Sequence, residues 1–304
     1  MRRTFRIGTR GSQLALWQAN FVQKKLEKIY PDLIFERIII KTEGDQNQQS
    51  SLKQIGGQGV FTKAIELALL DEEIDIAVHS LKDLPSKMTE NLKLGAVPKR
   101  GPVEDVLITK QGLSFNELPQ HAIIATGSIR RQSQILTRRP DIRITDLRGN
   151  INTRIKKLYE QNLDAIIMAR AALKRLSIKD IQYYTFGIDE MIPAVGQGAI
   201  GIQIRTEDQT VDQIVFSLNH EDTLLAVTAE RSVLHTLDSG CQFPVGAHAF
   251  IKNNTLKMVG FVGSEDGKTV LVEKLDTDVH DAEDAGKTLA EELINRGALS
   301  LLNN

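Results

Sequence analysis

Arginines in this chain recur where a strand-like run gives way to a helix-like one. Arg10 lies between an apolar entry at Phe5–Gly8 and a helix that Ser12 is placed to cap. Arg130 and Arg131 fall in the first turn of a helix that follows a strand and Thr126-Gly127-Ser128. Arg148-Gly149-Asn150 marks another such junction, with Arg154 one turn further in. In a parallel α/β sheet these junctions lie at the carboxyl edge of the strands, where ligands bind. Free N–H groups and the helix dipole there favour anions. Cations in a first helical turn oppose the dipole, so several of them are locally unfavourable unless a ligand bearing carboxylates or phosphates offsets them. Taken singly, each arginine reads better as a solvated or ion-paired surface residue. As a set they point to a polyanion site.

The segment His79-Ser-Leu-Lys82-Asp83-Leu-Pro85 directly follows a strand-like run and sets a cation beside a carboxylate at the same sheet edge. A carboxylate facing an arginine-rich cleft stays ionised and stabilises a cationic intermediate. The alternative is a turn with a surface ion pair. Cys241, the one cysteine, sits in the turn-like Ser-Gly-Cys-Gln-Phe-Pro. A lone cysteine is commonly an inert buried thiol. Near a cationic cleft it would instead be a nucleophile or an attachment point. The six histidines show no metal-ligand spacing such as H-E-x-x-H, so no metal site is expected. The chain also lacks a phosphate-binding G-x-x-x-x-G-K-[ST] loop.

These residues need elements to position them. With 304 residues the chain exceeds one ordinary core. Hydrophobic residues at 41% and charged residues at 25% are ordinary for a globular protein. A net charge of −1 gives no overall attraction to nucleic acid or an anionic membrane. The single cysteine excludes an intramolecular disulfide framework. The N-terminus lacks the apolar run of a secretory signal, and no stretch approaches the ~20 apolar residues of a membrane span. The expectation is a soluble, cytoplasmic, multi-domain protein.

The first hundred residues alternate helix-like patterns (Ser12–Tyr30, Val60–Leu70) with strand-like ones (Ile34–Ile40, Ile74–Val78, Leu92–Val97). Such alternation predicts βαβ units and a parallel sheet. The polar stretch Thr42–Gly59 reads as a functional or mobile loop, or simply a disordered one. Pro98-Lys-Arg-Gly-Pro102 reads as a domain crossing. A second α/β unit follows, with strands at Ala122–Ala125, Ile142–Thr145 and Ala165–Met168 and helices at Ser128–Arg138 and Asn150–Gln161. A glycine-rich turn and strand span Gly196–Ile204. From Glu221 a long helix, strands at Val245–Ile251, Leu256–Val262 and Val270–Leu275, and a helix at Asp281–Asn295 predict a small α+β domain.

Taken together, these residues resemble the porphobilinogen deaminase (hydroxymethylbilane synthase) family over essentially the full length. The matching stretches are Thr9-Arg-Gly-Ser-Gln-Leu-Ala-Leu-Trp-Gln18, Asp75-Ile-Ala-Val-His-Ser-Leu-Lys-Asp-Leu-Pro85, Gly127-Ser-Ile-Arg-Arg-Gln132, Leu147-Arg-Gly-Asn150, Pro193-Ala-Val-Gly-Gln-Gly198, Thr228-Ala-Glu-Arg231 and Gly240-Cys-Gln-Phe-Pro244. The resemblance implies an α/β fold: two periplasmic-binding-protein-like α/β domains around a cleft, plus a small α+β C-terminal domain. It implies boundaries at 1–98 plus 199–217, 103–193 and 221–304. The implied cofactor is a dipyrromethane, held by a thioether at the position of Cys241. The implied transferase reaction joins four porphobilinogens head to tail, loses ammonia each time and releases hydroxymethylbilane by hydrolysis.

Under this resemblance Asp83 is the catalytic carboxylate. Arg10, Ser12, Ser80, Lys82, Thr126, Ser128, Arg130, Arg131, Arg148, Gly149, Arg154 and Gln197 hold cofactor or substrate. Each porphobilinogen ring carries an acetate and a propionate, which is a physical reason for so many arginines. The resemblance further implies a monomer without metal, nucleic-acid or membrane partners. Thr42–Gly59 matches a flexible lid, where Glu43, Gln54 and Gln58 replace basic residues common in the family and predict weaker substrate capture or a different closed arrangement, not a different reaction. Two rival classes are a non-catalytic polycarboxylate-binding module, which needs neither Asp83 nor Cys241, and a nucleic-acid binder. The near-zero charge and few aromatic platforms argue against the latter.

Overall fold

The strand–helix alternation is realised in two separate five-stranded sheets and a third, smaller one. The computed structural model describes residues 4–42, 62–238 and 243–302. The chain divides into two units, Met1–Gly101 with Gly198–Leu224, and Pro102–Gln197 with Leu225–Asn304.

In the first unit β1 (Thr4–Thr9) runs into α1 (Gln13–Ile29), followed by β2 (Ile34–Ile39), α2 (Lys63–Leu70), β3 (Ile76–Ser80) and β4 (Leu92–Ala96). The Ser12 hydroxyl caps α1 by accepting from the Ala15 amide at 3.3 Å. Ala15, Ala19, Val22 and Leu26 fall at helical spacing and are buried. Trp17 is partly buried and stacks on Phe21 with ring centroids 5.5 Å apart. The chain later returns as β10 (Ile200–Arg205) and α6 (Gln209–Phe216), completing the sheet order β2-β1-β3-β10-β4.

The second unit holds β5 (Asp105–Thr109), β6 (Ile123–Ala125), α3 (Ile129–Arg138), β7 (Arg143–Thr145), α4 (Ile151–Glu160), β8 (Ala165–Ala169), α5 (Arg170–Arg175) and β9 (Tyr183–Thr185), in the order β7-β6-β8-β5-β9. Its central strands are buried on both faces. Leu107 and Ile167 enter one cluster while Val106, Ile108, Ile166 and Met168 enter the other. After α7 (Glu221–Thr236) come β11 (Val245–Lys252), β12 (Thr255–Gly263) and β13 (Val270–Asp278), an antiparallel sheet, then α8 (Ala282–Asn295) and α9 (Ala298–Leu302). Ala247, Ala249, Leu256, Met258 and Val262 pack with Val233 of α7 and with Leu289 and Leu293 of α8.

Both large sheets are mixed, which corrects the expectation of parallel ones. β1 pairs parallel with β2 and β3, and β6 with β7 and β8, but β10 is antiparallel to β3 and β4, and β5 to β8 and β9. The reason lies in where the chain arrives. Ile200 opens β10 opposite Ser80, the last residue of β3, and Asp105 opens β5 opposite Ala169, the last residue of β8. Each strand therefore starts at the carboxyl edge of its neighbours and can only run back across the sheet.

Candidate functional site

The first unit gathers four of its five predicted site residues on one small cavity of about 50 Å³. Arg10, Ser12, Ser80 and Asp83 line it together with Gln18 and His79. Arg10 and Ser12 come from the turn between β1 and α1. Ser80 ends β3, and Leu81–Asp83 is a 3-10 turn that carries Lys82 as well. The Gln18 amide donates to the Ser80 hydroxyl at 2.9 Å, which ties α1 to the end of β3. His79 has no counterpart among the predicted site residues. It is 5% exposed, and its Nε2 is buried without a hydrogen-bond partner. Burial, with Arg10 adding to it and Gln203 opposing, pushes the imidazole pKa down to about 4. A neutral ring therefore sits beside Asp83 and leaves Arg10 as the cavity's cation.

The second unit brings its predicted residues to one sheet edge. β6 and β7 pair in parallel, with Ala125 opposite Thr145, so the turns after them are neighbours. Thr126 donates its amide to Thr145 O at 2.9 Å, and its hydroxyl accepts from Ser128 N at 3.2 Å. Ser128 is the N-cap of α3. In the next turn Gly149 adopts φ +109°, a region that favours glycine, and Asn150 caps α4. Arg148 pairs with Asp146 at 3.1 Å, and Arg154 Nε donates to Gly149 O at 2.7 Å.

Arg130 and Arg131 stand differently from the other cations. They are 4% and 6% exposed, and both pair with Asp105, which is fully buried. Asp105 Oδ1 accepts from Arg131 Nη2 at 2.7 Å, Arg131 Nε at 3.1 Å and Gln197 Nε2 at 3.0 Å, while Oδ2 accepts from Arg130 Nη2 at 2.7 Å. Burial alone would raise the carboxyl's pKa, but the two guanidiniums hold it well below the usual range. The sequence argument set ion pairing on the surface against a ligand that offsets these cations, and the structure shows a buried ion pair instead of a surface one. One carboxylate already offsets them in part. Two guanidiniums against one carboxylate leave a net positive charge buried at the N-terminus of α3. Arg130 Nε is buried with no acceptor.

Gly246 brings the C-terminal sheet to the same place. A Cβ there would lie 2.8 Å from Pro193 O, 3.1 Å from Ile192 O and 3.1 Å from Arg130 Cδ. Gly246 lies five residues beyond Cys241, which itself falls outside the described residues, as do positions 43–59 of the expected lid. A cavity of about 620 Å³ elsewhere in this unit is lined by Ile188, Phe250, Val259 and Val272 among others, and no predicted site residue touches it.

Comparison with known proteins decides what these sites serve. The family description "Porphobilinogen deaminase, dipyromethane cofactor binding domain" matches residues 5–213, and "Porphobilinogen deaminase, C-terminal domain" matches residues 224–295. The chain belongs to the porphobilinogen deaminase family. The porphobilinogen deaminase of Chlorobium chlorochromatii is 46% identical over 100% of this chain and 98% of its own length. That of Geobacter metallireducens is 46% identical over 98% and 93%. Among solved structures, an extracellular-binding protein of a probable amino-acid transporter from Bacillus subtilis aligns with 71% of this chain and 90% of its own, at TM-score 0.45 and 13% identity. Porphobilinogen deamination in tetrapyrrole biosynthesis is accordingly the activity, and a dipyrromethane the cofactor. No helix among the described residues is long and apolar enough to cross a membrane.

The residues present fit that cofactor. A dipyrromethane bears acetate and propionate groups. The buried positive excess of Arg130 and Arg131, the unpartnered Arg130 Nε and the dipole of α3 all favour a carboxylate at this edge.

Proposed function

We propose that the chain joins four porphobilinogen molecules head to tail, loses ammonia at each addition and releases hydroxymethylbilane by hydrolysis. The observation that carries this reading is the uncancelled positive charge of Arg130 and Arg131 over Asp105, at an edge that also bears Thr126, Ser128, Arg148, Gly149 and Arg154. Such an edge suits a ligand of many carboxylates. When bound through a thioether at Cys241, the dipyrromethane supplies the pyrrole carbon on which the chain grows.

The protein's own residues do the rest. Arg10 and Lys82 draw the substrate's acetate and propionate, and Ser12 and Ser80 hydrogen-bond them. The substrate's aminomethyl group is an ammonium at neutral pH. Its C–N bond breaks, the electron pair leaves with ammonia, and a cation delocalised over the pyrrole ring remains. Asp83 stabilises that cation while the cation's methylene carbon bonds to the free pyrrole α-carbon at the end of the chain, and Asp83 would accept the proton that this α-carbon loses as its own ring regains aromaticity. Gln197 and the second unit's cations hold the carboxylates of rings already joined.

The three sheets support three domains, at 1–98 plus 199–217, 103–193 and 221–304. The near-neutral charge speaks against recruitment by nucleic acid or an anionic membrane, and the family resemblance supports a cytoplasmic monomer. The test is the intact mass of the purified protein with peptide mapping around Cys241. The wild-type peptide should be heavier by two linked pyrrole units, and Cys241→Ser should lack the increment. A loaded Cys241→Ser, or a wild-type protein that stays unmodified after incubation with porphobilinogen, would overturn the assignment.

A further inference from the structure

Sequence reasoning left Asp105 out of the site, yet its carboxylate accepts four side-chain hydrogen bonds, from Arg130, Arg131 and Gln197. Its side chain has no exposed surface, and every partner it holds is a residue assigned above to ligand carboxylates. We propose that Asp105 is a positioning residue: from the amino end of β5 it fixes the guanidinium planes of Arg130 and Arg131 and the amide of Gln197, so that their remaining donors meet a ligand carboxylate already oriented. This rests on the reading that those three residues bind cofactor or substrate.

The geometry supports orientation rather than simple neutralisation. Each guanidinium is gripped on two sides. Arg131 gives Nε and Nη2 to Asp105 and Nη1 to Ile167 O at 3.0 Å, while Arg130 gives Nη2 to Asp105 and Nη1 to Ile192 O at 2.6 Å. A planar group held at two edges cannot turn. Gln197 is likewise held twice, by Asp105 and by Val103 O at 2.7 Å. The stretch that carries Gln197 is anchored from the other side, because Glu230 of α7, fully buried, accepts from Gly196 N at 2.7 Å and from Ala249 N at 2.8 Å. Asp105 thus aligns these donors while leaving part of their charge uncancelled. Preorganised donors bind an anion without the cost of ordering them at the moment of binding.

The experiment compares apo wild type with Asp105→Asn, Asp105→Glu and Arg131→Leu. Folding is checked by circular dichroism and thermal melting. Each protein is then incubated with porphobilinogen, and cofactor loading is followed as mass gain. Asp105→Asn should load about ten- to hundredfold more slowly, the range expected for a lost charge-assisted hydrogen bond. In enzyme that does load, KM should rise by the same factor while kcat changes less than about threefold, because ground and transition states lose the same contact. Asp105→Glu keeps the carboxylate and should recover part of the loading; if Asp105→Asn does not fold, this variant's loading rate and KM decide.

A folded Asp105→Asn that loads at the wild-type rate with unchanged KM overturns the proposal, as does a fall in kcat alone. Arg131→Leu separates the two readings. If it also loads normally, the assignment of the arginines to ligand fails. If it loads slowly while Asp105→Asn loads normally, only the positioning role fails.

Discussion

Replacing His79 with asparagine should flatten the pH dependence of stability on the acid side of neutrality. In the unfolded chain the imidazole takes its proton near pH 6.5. In the folded protein it does so only near pH 4, because the ring is buried and Arg10 repels the charge, which together outweigh the opposing effect of Gln203. Between those values the unfolded state binds more protons than the folded one, so the free energy of unfolding falls as pH falls. The whole step corresponds to about 3 kcal/mol, a large part of the ~5–15 kcal/mol that holds a domain folded. At about 2–4 °C per kcal/mol it amounts to roughly 6–12 °C in Tm.

The assay is thermal melting of both proteins at intervals from pH 7.5 to pH 4.5. The variant has a lower Tm throughout, since it loses a buried ring, so the slopes are compared and not the absolute values. Asp75 does not confuse the comparison. Burial pushes its pKa up, but hydrogen bonds from Arg6 with the charges of Arg6 and Arg205 hold it below the ordinary value, so its contribution is lost at lower pH and equally in both proteins. Wild type should lose about 2–3 kcal/mol more than the variant over this range. Parallel curves would refute the claim that His79 stays neutral beside Asp83.

Two further outcomes follow from the geometry. Gly246→Ala should cost about 1–3 kcal/mol, because the added Cβ meets two backbone carbonyls that cannot step aside, whereas Gly260→Ala meets only the movable ends of Leu289 and Leu293 and should cost less; equal melting temperatures in calorimetry would show that the close approach to Pro193 and Ile192 is soft. Asp83→Asn should fold normally and lose turnover by about a hundred- to a thousandfold, the scale of removing one electrostatic stabiliser, and near-normal steady-state turnover would remove Asp83 from the chemistry.

The positions of the arginines were legible because they obey a local rule: Ser12, Ser128 and Asn150 announce helix starts, and each cation sits within a turn of one. The boundaries of α1, α3 and α4 follow from the same caps. β5, β9, α5, α6 and α9 were not legible. β5 is Asp-Val-Leu-Ile-Thr, buried on both faces, so it shows no alternation and is too short to separate from a loop. His79 was hidden for a similar reason: in a strand every second side chain turns inward, and only the sheet shows what waits there.

Asp105 escaped for a deeper reason, and it bears on how such a site is built. The carboxyl edge of a parallel sheet carries free N–H groups and helix N-termini, which are positive. Reasoning from strand ends therefore finds anion receptors and looks for their counter-charge in the ligand. An antiparallel strand breaks that rule, because it brings its amino end to the same edge. β5 does this with Asp105 opposite Ala169, and an acid arrives beside the first turn of α3. One carboxylate against two guanidiniums is the ratio that matters. A second acid would cancel the site, and none would leave two like charges buried side by side at a cost of several kcal/mol. The mixed sheet is what allows a pair of guanidiniums to be buried, oriented and still positive.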